Sequence, residues 1–87
     1  MLSFITIKDC KLKIGEWCKM KRKSEKLSQN ELAELLDISR ITIQKLEAGK
    51  NITLDNLLKI MNHFDDLNKL YAPFDDDIKN NNIMSLY

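Results

Sequence analysis

Proline and glycine are scarce in this chain, which has one proline and two glycines among 87 residues. Their scarcity excludes collagen-like and linker-type polymers. Histidine occurs once, as His63, and cysteine twice, as Cys10 and Cys18, with no Cys-x-x-Cys pair. Neither a zinc site nor a disulfide framework fits that spacing. If both cysteines lie on one helix, the rise between them is about 12 Å, too long for a bridge. They read as small buried or half-buried thiols in a reducing compartment. No apolar run exceeds three residues, whereas a membrane span needs about 20. A charged start, apolar stretch and small-residue cleavage site are also missing, so no secretory leader is read.

What is present is 44% apolar and 31% charged residues, the balance of one compact domain. A domain of this length buries roughly 60 to 65% of its unfolded surface and is marginal alone, so a second copy or a partner would help it. The net charge of +1 conceals an asymmetry: residues 1–50 hold 11 Lys+Arg against 7 Asp+Glu, and residues 51–87 hold 3 against 6. Eight of the bases fall between Lys8 and Lys26, where only Asp9, Glu16 and Glu25 oppose them. A phosphate-binding front with a more acidic rear has this distribution, and so does a lysine-rich solvated helix.

The apolar pattern is helical nearly throughout. Only residues 2–7, Leu-Ser-Phe-Ile-Thr-Ile, are β-branched and aromatic enough to suggest a strand. A first helix is predicted from residue 8 or 9 to 25, with Ile7, Cys10, Ile14 and Cys18 at helical spacing and Lys21, Arg22, Lys23 and Lys26 at the cation-favouring end. Ser28-Gln29-Asn30-Glu31 is a capping box. It opens a second helix whose buried side is Leu32, Ala33, Leu35 and Leu36 and which ends near Asp37. Ser39 can cap a third helix over residues 40–48, stopped by Gly49. A fourth starts at Thr53 with a stripe of Leu54, Leu57, Leu58, Met61 and Phe64, and a short fifth spans residues 66–71, ending before Pro73. Trp17 and His63 read as a packing residue against the tail and a helix-surface residue.

The third helix has two unlike faces. At about 100° per residue, Arg40, Gln44, Ala48, Ile41 and Lys45 fall on one side, and Ile43, Leu46 and Glu47 on the other. A glutamate on the inward side must find a cation, because a buried unpaired carboxylate is prohibitively costly. Arg22 is the expected partner. A short helix, a tight turn and a second helix showing Arg, Gln and Lys outward suit the major groove, which is about 12 Å wide and admits one helix.

Residues 27–50, with Ser28-Gln29, Leu32-Ala33, Ile38-Ser39, Thr42-Ile43, Leu46-Glu47 and Gly49, strongly resemble the helix-turn-helix of the phage repressor and Cro family, also called the XRE family. The resemblance extends from about Ile14 to Tyr71. It implies an all-α, five-helix, lambda-repressor-like DNA-binding domain whose partner is double-stranded DNA, located in the cytoplasm with the nucleoid. Arg40, Ile41, Gln44 and Lys45 match the base-facing positions: Arg40 and Lys45 suit guanine, Gln44 suits adenine, and Ile41 offers apolar contact. Ser28, Gln29, Ser39, Thr42, Lys50 and Asn51 match backbone contacts, with Gln29 gripping a phosphate and Ser39 or Thr42 touching backbone or a thymine methyl. The Arg22 to Glu47 pair recurs in the family. Where the family has Gly at the end of the first helix and in the turn, this chain has Lys26 and Asp37, positions that often need a left-handed residue.

The expected organisation is an N-terminal extension (1–7), the helix-turn-helix domain (8–72) and a tail (73–87). In the tail, Asp75-Asp76-Asp77 and Asn80-Asn81-Asn82 read as turns or a flexible segment. Tyr71, Phe74, Ile83 and Leu86 are the expected docking residues, toward a second copy in a two-fold dimer or toward a protein partner. No cofactor, metal or catalytic constellation is read. Two functions follow as expectations. One is a dimeric repressor on a palindromic operator, resembling HipB-like antitoxins that repress their own operon beside a toxin partner. The other is a protein-interaction module that neutralises a toxin or bridges an assembly without binding DNA.

Overall fold

Four helices of this protein open on a serine or threonine whose hydroxyl accepts the third amide of the helix: Thr6 from Asp9, Ser28 from Glu31, Ser39 from Thr42 and Thr53 from Asn56. The caps fix where each helix begins. In the computed structural model, which describes residues 4–85 with side chains through residue 81, the helices are α1 (Ile7–Ser24), α2 (Gln29–Leu36), α3 (Arg40–Glu47), α4 (Leu54–His63) and α5 (Asn68–Ser85). No strand occurs among the described residues. The fold is the expected all-α, five-helix, lambda-repressor-like class.

The first four helices also end alike. Lys26, Asp37, Gly49 and Asp65 all have positive φ, between 54° and 73°. After each, an amide returns to the carbonyl five residues earlier: Leu27 to Arg22, Ile38 to Ala33, Lys50 to Lys45 and Asp66 to Met61. This closure satisfies carbonyls that a helix end leaves bare. Only one of the four sites is glycine, and a side chain there costs roughly 1–2 kcal/mol, less for aspartate.

The core joins Cys18 of α1, Leu32 and Ala33 of α2, Ile43 and Leu46 of α3, and Ile60 and Phe64 at the end of α4. Trp17 packs edge-on against Phe64, ring centroids 5.8 Å apart. His63 is half-buried, its Nε2 2.8 Å from Glu25 Oε1. The close helix packings are α1 on α3, α2 on α3 and α2 on α4.

Four expectations are corrected. Residues 4–6 are not a strand and Ile7 already belongs to α1, because Thr6 and Asp9 form a capping box that starts the helix there; Leu2 and Ser3 lie outside the described residues. The buried line of α4 runs through Ile60, fully buried, while Leu54 is exposed. With apolar residues on two sides of α4, composition did not say which side faces inward. Leu35 is likewise exposed, since α2 has only Leu32 and Ala33 fully turned inward. The fifth helix does not stop before Pro73; it continues through the Asp and Asn runs to Ser85. Proline removes one helical amide, but with φ near −65° it can sit inside a helix that tolerates the missing bond. An Asp75 to Lys79 ion pair at 3.0 Å, one turn apart, lies along this segment.

Candidate nucleic-acid interface

The arrangement of α2 and α3 follows from one carboxylate. Glu47, the last residue of α3, receives Arg22 Nε at 2.7 Å on Oε2 and Arg22 Nη2 at 2.9 Å on Oε1. Gln29 Nε2 adds a bond of 3.1 Å to Oε1, and the Cys18 thiol lies 3.7 Å from Oε2. Arg22 uses its remaining arm to donate to the Leu27 carbonyl at 2.8 Å. Both charged side chains are at least nine-tenths buried. α1, the loop before α2, the first residue of α2 and the end of α3 thus meet at one point. A carboxylate at a helix C-terminus opposes the helix dipole, so the paired guanidinium is what makes the position tenable.

The protonation states follow. Burial by itself pushes the Glu47 carboxyl up, but the hydrogen bonds from Arg22 and Gln29, the Arg22 charge and the Cys18 contact hold it below the usual range. Its hydrogen bond to Glu47 raises Arg22 further, against burial. Burial first, then the Glu47 charge, push the Cys18 thiol up to about 12. Cys18 is a neutral packing group that touches an ion pair.

A second close approach fixes the same seam. A Cβ added to Gly15 of α1 would stand 2.5 Å from the Leu46 carbonyl oxygen and 2.8 Å from that of Glu47. Only glycine lets α1 lie this near the end of α3. Nothing in the helical spacing singled Gly15 out; the signal available was a glycine inside an otherwise uninterrupted helix, which costs about 1 kcal/mol and calls for a packing reason.

With its inner side held, α3 turns Arg40, Ile41 and Lys45 to solvent, with Gln44 half-buried beside them, while Ile43 and Leu46 are buried. The residues read as backbone contacts are distributed around this face. Ser28 and Ser39 spend their hydroxyls on capping, and Ser39 Oγ also lies 3.0 Å from Thr42 Oγ1. Gln29 is half-buried and tied to Glu47 by one N–H, which leaves the amide a second N–H to donate elsewhere. Lys50 and Asn51 are exposed in the loop after α3, and Asn51 Oδ1 accepts from Lys11 of α1, a residue the sequence did not mark. Thr42, Lys45, Asn51, Ile52, Thr53 and Asn56 border one shallow hollow of about 290 Å³ between α3 and the start of α4.

Of the docking residues, Tyr71 and Phe74 are exposed on α5. The side chain of Ile83 and the whole of Leu86 lie outside the described residues. Leu70, Tyr71, Phe74 and Ile78 fall within about 100° of one another around α5, and Leu67 lies just before its first residue. Leu58 of α4 joins four of them around an open apolar hollow of about 310 Å³.

Among the described residues no group of three or more His, Cys, Asp or Glu could hold a metal ion, and no helix is long and apolar enough to cross a membrane. A sequence model of the helix-turn-helix family matches residues 19–69, from the second half of α1 into α5. The chain belongs to that family, the XRE class of helix-turn-helix proteins. It is a DNA-binding transcription regulator that takes double-stranded DNA, from a family that is in general not enzymatic. No curated protein matches the chain.

Proposed function

We propose that this protein is a dimeric, sequence-specific repressor that reads a palindromic operator through the major groove. The observation that carries the reading is the outer face of α3, where Arg40, Ile41, Gln44 and Lys45 lie together on a helix held from behind by the Arg22–Glu47 pair. Because that pair is made within the chain, the reading helix is positioned before DNA arrives, and binding need not bear the cost of ordering it. Arg40 and Lys45 serve guanine edges, Gln44 an adenine, and Gln29, Lys50 and Asn51 the phosphates that set register. A two-fold pair through the α5 stripe would place two such helices about 34 Å apart, one helical turn of DNA. Occupying an operator that overlaps its own promoter would make the protein autoregulatory, the arrangement of an antitoxin beside its toxin.

The exposed α5 stripe also favours a second reading, a module that covers a toxin-like protein partner without binding DNA independently. Selection of double-stranded DNA from a random pool at about 150 mM salt separates the two. A palindrome with half-sites one turn apart is the expected result. Arg40→Ala or Lys45→Ala should then relax one position each, at about 1–3 kcal/mol, whereas Gln29→Ala should weaken all sequences alike. Folded protein that enriches no sequence would leave the partner-binding reading.

A further inference from the structure

The apolar hollow along the α5 stripe has a neighbour. Ile14 and Trp17 of α1, Leu57 and Met61 of α4 and Leu70 of α5 line a second one of about 240 Å³, with Lys13 at its edge. A hollow of roughly 150 Å³ already admits a benzene ring, so this one has room for an aromatic side chain. Leu70 borders both hollows, so the space over Trp17 adjoins the exposed rings of Tyr71 and Phe74. A two-fold contact is self-complementary: a part of the surface that touches a second part on the other copy is touched by that part in return. One such contact can therefore seat the rings of each copy in the hollow of the other.

Charge selects this arrangement over a pairing of one α5 with the other. Asp75 is held by Lys79, and Asp76 lies on the side of α5 away from Phe74. Asp77 falls about 20° from Leu70 around the helix, at the border of the stripe, and has no ion-pair partner among the described residues. Two α5 helices laid together would bring both acidic runs to one place, where like charges repel. The hollow over Trp17 offers Lys13 instead, whose own contact is an exposed pair with Glu16 at 3.2 Å.

We propose that the α5 stripe of each copy seats in the Trp17 hollow of the other, with Asp77 meeting Lys13 across both halves of the contact. The inference rests on the dimeric reading above and names its geometry, an exchange of α5 between copies. Because α1 also holds the end of α3 through Gly15 and Arg22, the exchange would set the spacing of the two reading helices through packed helices.

Charge-swapped variants of the full chain test it. In Lys13→Glu both cross-copy contacts become acid against acid, and in Asp77→Lys base against base, so each variant alone should dimerise about tenfold more weakly in sedimentation. In an equimolar mixture the heterodimer has opposite charges at both contacts, and the dimer should return. Emission of Trp17, the only tryptophan of the chain, should move to shorter wavelength as the unchanged protein or the mixture dimerises. Dimers that ignore both changes, weakening that the mixture does not relieve, or dimerisation without a response from Trp17 would each overturn the exchange and leave the dimeric reading standing. A chain that stays monomeric at every concentration would overturn both and leave the face to a different protein. Lys13 and Asp77 are exposed, so these variants should keep the fold, which circular dichroism checks.

Discussion

Around Glu47, side chains from α1 and α2 converge on one carboxylate of α3 inside the protein, whereas along α5 and just before it four large apolar side chains, Leu67, Tyr71, Phe74 and Ile78, stand exposed. The usual placement of charge and hydrocarbon is reversed at both sites. At the first, a buried ion pair adds little net stability over hydrocarbon of the same shape, but it admits one geometry, with two parallel bonds between a planar fork and a carboxylate. At the second, an uncovered stripe costs stability that a partner surface would return. The seam between α1 and α3 is finished within one chain, whereas the α5 stripe stays exposed.

Breaking the seam should have the largest effect. Arg22→Ala leaves the Glu47 carboxylate buried with only Gln29 and Cys18 beside it, and should cost about 3 kcal/mol. In a domain of this size that lowers Tm by more than about 10 °C. Replacing both partners together, Arg22→Met with Glu47→Leu, should recover much of the loss, because no charge is then stranded. A pair of single and double variants with equal losses would contradict this account of the seam. The seam also has a pH signature. Glu47 titrates below the usual range when folded, so its share of stability is complete above about pH 5 and is lost as pH falls through the lowered value. Glu31 and Asp66 are shifted in the same direction, the first by the Ser28 capping bonds and the second by Lys21 and Lys69 against burial. Glu47→Gln should therefore shallow the acid limb of a pH–stability curve without abolishing it.

Gly15→Ala sharpens the same comparison with a smaller effect. On helix propensity alone the change should stabilise by nearly 1 kcal/mol. The added methyl instead meets two backbone carbonyl oxygens that no rotamer can move, and overpacking of this kind costs about 1–3 kcal/mol. A net loss of about 1 kcal/mol in denaturant unfolding is the expected outcome, and a gain would show that α1 is free to slide. The matching change on the exposed side of α1, Glu16→Ala, should stay within about 0.5 kcal/mol.

The legibility of the sequence divides along this line. The caps of α2, α3 and α4 were plain, because a serine or threonine before a helical pattern has one local job. The left-handed ends at Lys26 and Asp37 were marked by their departure from glycine, a positional signal that composition hides. The inward side of Glu47 followed from register, since a glutamate among buried positions demands a cation wherever the chain supplies one. Gly15 was not legible, because what it touches comes from residues more than 30 positions away. The length of α5 was misread for a related reason. Proline, aspartate and asparagine are local stop signals, and here the helix passes through them. The strand expected at the N-terminus failed because a β-branched run has no ladder to join among the described residues, while Thr6 and Asp9 offered the helix a start.

The smallest effect on the folded monomer should come from the side where association is expected to matter most. Tyr71 and Phe74 are 68% and 62% exposed, so Tyr71→Ser with Phe74→Ser removes little that the isolated chain buries. Unfolding of the dilute protein should shift by no more than about 0.5 kcal/mol. In sedimentation at micromolar concentration the unchanged protein should run as a dimer and the double variant as a monomer. A dimer that survives the change would place the interface elsewhere on the molecule. Because a monomer holds one recognition helix to the operator instead of two, the double variant should also lose affinity for a palindrome while keeping the preference of a single half-site. That pattern separates an association face from a packing face: the latter would lose stability and sequence preference together.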